Sequence, residues 1–408
     1  MIDKDSLLEG DGVTPERISK LWTLPFLTFV VLNLFLFMGF DTLLPILSLY
    51  LENNGSSEAE IGRIFSCFTV SAIMMRMLSV SLAARFGVLG LIRLGLLVCG
   101  GAVIAYWWVD TTPSAMIIRF LHGLGFGLAS TLVTALASQI IPPARLGEGM
   151  NYLGLGTTVT LAAGPFFGLW LKDNFGYLVM FLVVAGVYLL GIVWSFNLPT
   201  MKLSRITGLR PRPVFLSRLV LVPSLLMFLT GIAVSSTVIY MALYCQEKGL
   251  PYAAHFFVLS TGGIFISRLF SGRLYDRLGH CFVIAPAVTL MFLATLILAL
   301  GLGRNALFIT SILWGLGIGA LFPSIQALAF AITPLNQRTE VTASIFNSLD
   351  LGFGSGSFVL GLLAERAGTY QIVYWAAAGD TLVFLTFYLV YYLRLHPSVQ
   401  KGKLVQEY

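Results

Sequence analysis

The chain has 408 residues, of which 57% are hydrophobic and 11% charged, and a formal net charge of +6. Soluble domains carry roughly 25% charged residues, so a surface in contact with water throughout is excluded. The positive charge is not a nucleic-acid footprint either, because the basic residues sit in short loops between apolar runs.

The first residues are polar and mixed in charge, with no apolar stretch before Leu21. No cleavable signal peptide is therefore expected, and the first apolar run serves as the insertion signal. Twelve such runs follow, near 22–50, 61–84, 88–109, 113–140, 148–171, 175–197, 219–245, 253–274, 281–303, 305–332, 340–364 and 370–394. Each is long enough to cross a hydrocarbon core of about 30 Å, and such continuous runs read as helices rather than barrel strands. The stretch from Pro199 to Arg218 has five basic residues, no acidic ones, and Pro211 and Pro213 as helix breakers. It reads as a linker that meets anionic lipid headgroups. The expected division is a tail at 1–21, a six-helix bundle at 22–197, the linker at 198–218, a second bundle at 219–395 and a tail at 396–408.

Basic residues set the orientation. Seventeen fall in loops and tails on one side, against Lys172, Lys248, Arg304 and Arg366 on the other. The positive-inside rule puts both termini in the cytoplasm. The four cysteines have no metal-ligand spacing and no evident pairing, so no metal, cofactor or disulfide is expected. No phosphate-binding Gly-rich loop is present, which argues against ATP drive within the chain.

A displacement of 192 residues superposes the sequence on itself. Arg76, Ser79, Leu82, Arg85 and Gly87 recur as Arg268, Ser271, Leu274, Arg277 and Gly279. Gly123, Gly125 and Gly127 recur as Gly315, Gly317 and Gly319, and Glu148 and Gly164 as Glu340 and Gly356. One offset without a gap marks a structural repeat, and in an apolar chain it predicts two bundles related by an axis along the membrane normal.

Charges within apolar runs are costly and point to cavities or partners. Asp41 lies about 13 Å below one end of the first segment, at about 1.5 Å per residue, on one stripe with Asn33 and Ser48. Arg119, with His122 one turn on, lies at a similar depth in the fourth. We expect Asp41 to carry the coupling proton with Arg119 as its counter-ion, and Asp350 in the eleventh segment to be a second proton or cation site. Asp380 in the last segment reads as supporting structure. Arg85, Glu148, Arg277 and Glu340 stand at cytoplasmic helix ends and are expected to form a gate, together with Arg76, Gly164, Pro165, Gly168, Arg268, Gly272, Asp276 and Gly279. Asp276 is expected to face a helix N-terminus of the other half. An apolar, aromatic binding surface with scattered polar groups is expected from Asn33, Phe37, Phe126, Thr237, Tyr240, Tyr244, Phe322, Gln326 and Asn347. It suits amphipathic or cationic solutes.

Three motifs carry a family resemblance. Arg268-Leu-Phe-Ser-Gly272-Arg-Leu274-Tyr-Asp276-Arg277-Leu-Gly279 resembles the loop signature of the major facilitator superfamily. Its first-half copy departs from it, with Val80 and Ala84 in place of the usual Gly and Asp. Arg119-x-x-x-Gly123-x-Gly125 resembles the fourth-helix signature, and Gly164-Pro165-Phe-Phe-Gly168 the fifth-helix signature of exporters. The resemblance implies an all-α fold of twelve helices in two pseudo-symmetric bundles. It also implies alternating access without chemistry on the solute, and kinship with the drug/proton antiporter branch. That branch implies a monomer in the inner membrane working on small molecules and protons. Open alternatives are a narrow exporter of a metabolite or metallophore, a proton-coupled importer, and a receptor or scaffold that moves nothing.

Overall fold

The computed structural model describes residues 21–141, 146–198, 216, 220–333 and 338–391. The N-terminal tail, nearly all of the basic linker, Arg145 and the C-terminal tail lie outside the described residues, as do the side chains of Val80, Ala84, Glu148, Asp276 and Glu340. Within the described residues the regular structure is entirely helical. The helices are α1 (Leu24–Asn53), α2 (Glu58–Phe86), α3 (Val88–Ala105), α4 (Thr112–Ile140), α5 (Leu146–Trp194), α6 (Leu221–Glu247), α7 (Ala253–Leu278), α8 (Cys281–Leu300), α9 (Arg304–Ala331), α10 (Arg338–Ala367) and α11 (Gln371–Tyr388).

Local chemistry starts and stops these helices. Thr23 caps α1 by accepting from the Phe26 N–H, with Pro25 in the first turn, where its missing donor does no harm. Ser57 and Glu60 close a reciprocal capping box on α2, and Thr111 and Ser114 do so on α4. Gly87 and its repeat copy Gly279 end α2 and α7 with φ of +84° and +88°, a conformation only glycine takes without strain.

Among the described residues ten helices are long and apolar enough to cross a membrane, against the twelve segments expected. Two features account for the difference. One is α5, which holds two expected segments and doubles back at Gly176. Before that glycine, Asn33 meets Leu153 and Gly168 meets Ile46, so the two helices run parallel. After it, Tyr50 meets Phe181 and Gly39 meets Tyr188, so they run antiparallel. Gly176 has φ +81°, and its copy Gly368, at φ +65°, makes the corresponding turn between α10 and α11. The other is α10, whose Glu340, Asp350 and Glu365 lower its hydropathy.

The repeat is written into the packing. An ideal Cβ on Gly123 would lie 3.0 Å from Phe68 Cα, and one on Gly315 would lie 2.8 Å from Ser260 Cα. One on Gly125 would lie 2.7 Å from the Gly95 carbonyl, and one on Gly317 2.7 Å from the Ala287 carbonyl. Both contacts shift by the same 192 residues as the sequence. Thus α4 presses on α2 and α3 as α9 presses on α7 and α8. Apolar helices gain little from burial against each other in lipid, so backbone approach through small residues supplies the cohesion. The result is two pseudo-symmetric bundles.

Candidate functional site

The two bundles meet mainly along α2 and α10, and the join is tight at the end that carries Glu52. Ser66 Oγ donates to the Gly354 carbonyl at 2.7 Å, and Ser357 Oγ to the Gly62 carbonyl at 3.3 Å. Beyond them, Gln246 Nε2 and Tyr370 OH both donate to the Glu52 carboxylate, at 2.9 and 2.8 Å. At the opposite end, which carries Arg85 and Arg277, α4 and α9 make little contact with each other among the described residues. The space between the bundles is therefore shut at the Glu52 end.

Asp41 sits on α1 and is buried. Glycines place it there. Cβ atoms on Gly164 and Gly168 would lie 2.8 Å from the Thr42 N and 2.6 Å from the Thr42 carbonyl, so α5 lies flush against α1. That approach delivers Thr160, one turn before Gly164, whose hydroxyl donates to Asp41 Oδ2 at 2.6 Å. Two prolines loosen the backbone at the same height. Pro45 has no N–H for the Asp41 carbonyl four residues earlier, and Pro165 leaves the Leu161 carbonyl in the same position.

The expected Asp41–Arg119 pair does not form. Among the described residues Asp41 has no cation within ion-pair distance, and its partner is Thr160. Arg119 is fully buried, its guanidinium 4.6 Å from the Phe65 ring and 4.4 Å from that of Phe68. His122 lies within the same bundle, its Nε2 3.3 Å from the Tyr188 hydroxyl. Asp41 is held by Thr160 of α5 while Arg119 lies against Phe65 and Phe68 of α2, so the two do not form a pair.

Asp350 does pair, and its partner is Arg76 on α2. The two side chains are 27% and 24% exposed, so the bridge is sheltered and joins the two bundles. Residues predicted separately as a proton site and a gate are one contact.

Of the expected binding surface, part assembles. Phe37 meets Phe126 edge-on at 5.3 Å, Phe40 stacks on Phe126 at 4.4 Å, and Phe68 stacks on Phe40 at 5.0 Å. Phe40 and Phe68 were missed, although Phe40 adjoins Asp41 and could have been found on that ground. Asn33 is buried and donates to the Leu153 carbonyl at 3.2 Å. On the other bundle Phe322 meets Phe346 at 5.6 Å, with Gln326 half-buried one turn along and Asn347 buried.

Tyr240 and Tyr244 are corrections. The Tyr240 hydroxyl donates to the Ser357 carbonyl at 2.5 Å, and that of Tyr244 to the Leu298 carbonyl at 2.9 Å. Both rings pack their own bundle together, because a one-turn spacing defines a stripe but not what the stripe faces. Thr237, near them on α6, is buried with its hydroxyl unpartnered. Asp380 is half-buried on α11, with its Oδ2 lacking a hydrogen-bond partner.

The gate residues fall at the Arg85 end as far as they are described. Arg85 is exposed in the last turn of α2 with its guanidinium 5.4 Å from the Phe86 ring, and Arg277 is exposed in the last turn of α7. Arg268 is half-buried in α7. Gly272 has open space beside it: a Cβ there would meet nothing within 4 Å.

The model for the Major Facilitator Superfamily matches residues 29–305 and 266–407. The chain belongs to that superfamily. It is 23% identical over 393 residues to an uncharacterised superfamily-type transporter of Methanocaldococcus jannaschii, covering 93% of this chain and 99% of that one. It is 25% identical over 384 residues to the multi-drug resistance efflux pump PmrA of Streptococcus pneumoniae, covering 88% and 92%. Among solved structures, a mutant of the nucleoside transporter NupG superposes with a TM-score of 0.72 at 14% identity, over 90% of this chain and 99% of that one. The protein is thus a multi-pass membrane transporter of small molecules and not an enzyme.

Proposed function

We propose that this transporter exports amphipathic or cationic small molecules in exchange for protons, by alternating access of one central site. The observation that carries the reading is Asp41: a buried carboxylate with one hydroxyl donor and no cation, beside the Phe37–Phe40–Phe126 cluster. An ionised carboxylate in such a place bears a desolvation cost that a counter-charge removes. A proton or a cationic solute can each supply that charge, and competition between them is the basis of exchange. The aromatic faces favour the same solutes.

Export is supported by the Gly164-Pro165-Phe-Phe-Gly168 motif and by the likeness to PmrA, an efflux pump. The excess of loop Lys and Arg on one side supports cytoplasmic termini in an inner (plasma) membrane. On that orientation the shut Glu52 end faces outward, and the conformation is ready to load from the cytoplasm. Bundles at 22–197 and 219–395 would rock about the α2–α10 seam, with the basic linker at 198–218 against anionic lipid. The unit is a monomer, since each chain holds both bundles and the site between them.

The test is energised efflux of a fluorescent lipophilic cation from a bacterium lacking its main efflux pumps. Wild-type efflux should collapse with an uncoupler, and Asp41→Asn should abolish uphill efflux while the protein remains inserted. Full uphill efflux by Asp41→Asn removes the residue from coupling. No efflux by an inserted wild type turns the reading toward a narrow metabolite or metallophore exporter.

A further inference from the structure

Thr160 has two acceptors and one hydrogen. Its hydroxyl oxygen lies 2.6 Å from Asp41 Oδ2 and 2.9 Å from the carbonyl oxygen of Thr157, three residues earlier on α5. Both are hydrogen-bond distances, yet a hydroxyl can donate only once. The side chain is fully buried, so its hydrogen points at one of these two oxygens or the other. Changing between them turns the O–H bond and moves no heavy atom.

The state of Asp41 decides between them. An ionised carboxylate only accepts, so Thr160 must donate to it, and 2.6 Å is the length of an O–H···O bond to a charged acceptor. A protonated Asp41 has a hydrogen of its own to place. The acid then donates to Thr160 Oγ1, and the hydroxyl hydrogen turns to the Thr157 carbonyl. A cationic solute neutralises Asp41 differently. The carboxylate remains an acceptor, and Thr160 goes on donating to it.

The charged groups on the helices packed against α1 are engaged elsewhere. Tyr188, on the second half of α5, feels the Asp41 charge but bonds His122 of α4. Arg119 of α4 lies against Phe65 and Phe68, and Arg76 of α2 is paired with Asp350. Tyr240 and Tyr244 of α6 donate to carbonyls of their own bundle. Arg63 neighbours Glu60, Lys172 pairs with Asp173, and Lys248 with Glu247.

We propose, on the basis of the proton exchange assigned to Asp41, that Thr160 is the positioning residue through which the site distinguishes a proton from a cationic solute. The proton adds a hydrogen bond from Thr160 to the α5 backbone, and the solute does not. A hydroxyl bonded back to its own helix in this way bends it. The bond falls in the turn before Pro165, where the Leu161 carbonyl already lacks its helical donor. Gly164 and Gly168 hold α5 flush on α1, so a change of bend there moves one helix against the other. The two counter-charges thus leave α5 in two different states, although they neutralise the same carboxylate.

The test reads the Thr157 carbonyl by magnetic resonance in the full-length chain reconstituted in lipid. Labelling threonine with carbon-13 and nitrogen-15 isolates it, because Thr–Thr peptide bonds occur only at Thr111–Thr112 and Thr157–Thr158, and Thr111→Ser removes the first. Between about pH 9 and about pH 4, a span that includes buried carboxylates, the signal should move downfield as the carbonyl gains a bond. At the midpoint of that movement, excess tetraphenylphosphonium should return it to its alkaline position. Thr160→Val should abolish the movement, and Thr160→Ser should restore it. If Thr160→Val does not fold, Asp41→Asn decides, since it must give one signal independent of pH. A signal that ignores pH, or that moves equally in Thr160→Val or Asp41→Asn, overturns the proposal. Efflux of the same cation separates the two readings. Absent efflux refutes the exchange on which the role of Thr160 rests, whereas efflux with a carbonyl that ignores pH or cation refutes that role alone.

Discussion

Adding one methyl group at Gly62 should force open the shut end of the transporter. Gly62 lies on α2 where it crosses α10, and an ideal Cβ would stand 3.1 Å from both Phe358 Cα and Ser357 C. Carbon atoms prefer separations of about 3.5–4.0 Å. The obstacle is backbone, which cannot rotate aside as a side chain can. Relief requires the helices to part by about 0.5–1 Å, and that strains the Ser66–Gly354 and Ser357–Gly62 hydrogen bonds across the seam. Overpacking of this kind costs about 1–3 kcal/mol. At about 2 kcal/mol the arrangement shut at the Glu52 end loses roughly 30-fold in population relative to one in which the bundles part there. Spin labels at Asn54 and Lys248, which belong to different bundles near that end, report the separation by pulsed electron resonance. The wild type should show a short-distance population that Gly62→Ala depletes in favour of a longer one. Gly101→Ala is the control, because a Cβ at that exposed helical position meets nothing within 4 Å. Identical distance distributions in wild type and a folded Gly62→Ala protein would refute the reasoning.

The Arg76–Asp350 bridge should show as coupling in a double-mutant cycle. Asp350→Asn leaves a sheltered guanidinium unpaired and should cost about 2–3 kcal/mol, just below the range for fully buried pairs, whereas adding Arg76→Gln should recover part of the loss. Thermal melts of the four proteins measure this, and additive effects would show that the bridge contributes nothing of its own. Phe126→Ala removes the ring shared by Phe37, Phe40 and Phe68. A lipophilic cation should then bind about tenfold more weakly, at about 0.5–1.5 kcal/mol for each aromatic interaction removed. An unchanged dissociation constant would take the cluster out of the binding site.

The frame was legible in the sequence because close packing in lipid requires small residues at fixed places. Gly123, Gly125, Gly164 and their copies are marks of contact, and their common offset predicted two bundles built alike. The Gly176 turn was legible as a break between two segments, although the helix runs on to either side of it. The site was legible only in part. Hydropathy and rise per residue give depth, which placed Asp41 and Arg119 at one level, but they give no azimuth. Thr160 was invisible because a hydroxyl in a helix commonly bonds its own backbone, as Thr160 also does to the Thr157 carbonyl. Arg76 and Asp350 stand 274 residues apart, and no local pattern joins them. Tyr240 and Tyr244 misled because an aromatic stripe serves a packed seam as well as it serves a pocket.

The duplicated contacts also divide responsibility between the two copies. Every packing glycine of α4 has its counterpart in α9, yet Asp41 corresponds to Ala233, Arg119 to Ser311 and His122 to Trp314. At these three positions only the first copy carries ionisable side chains, while the second keeps the packing glycines. The α9 positions that match Arg119 and His122 are therefore free to drift without touching Asp41, the proposed proton site. If Asp41 carries the proton as proposed, a lineage can change what it transports by altering α9 while the first copy stays as it is.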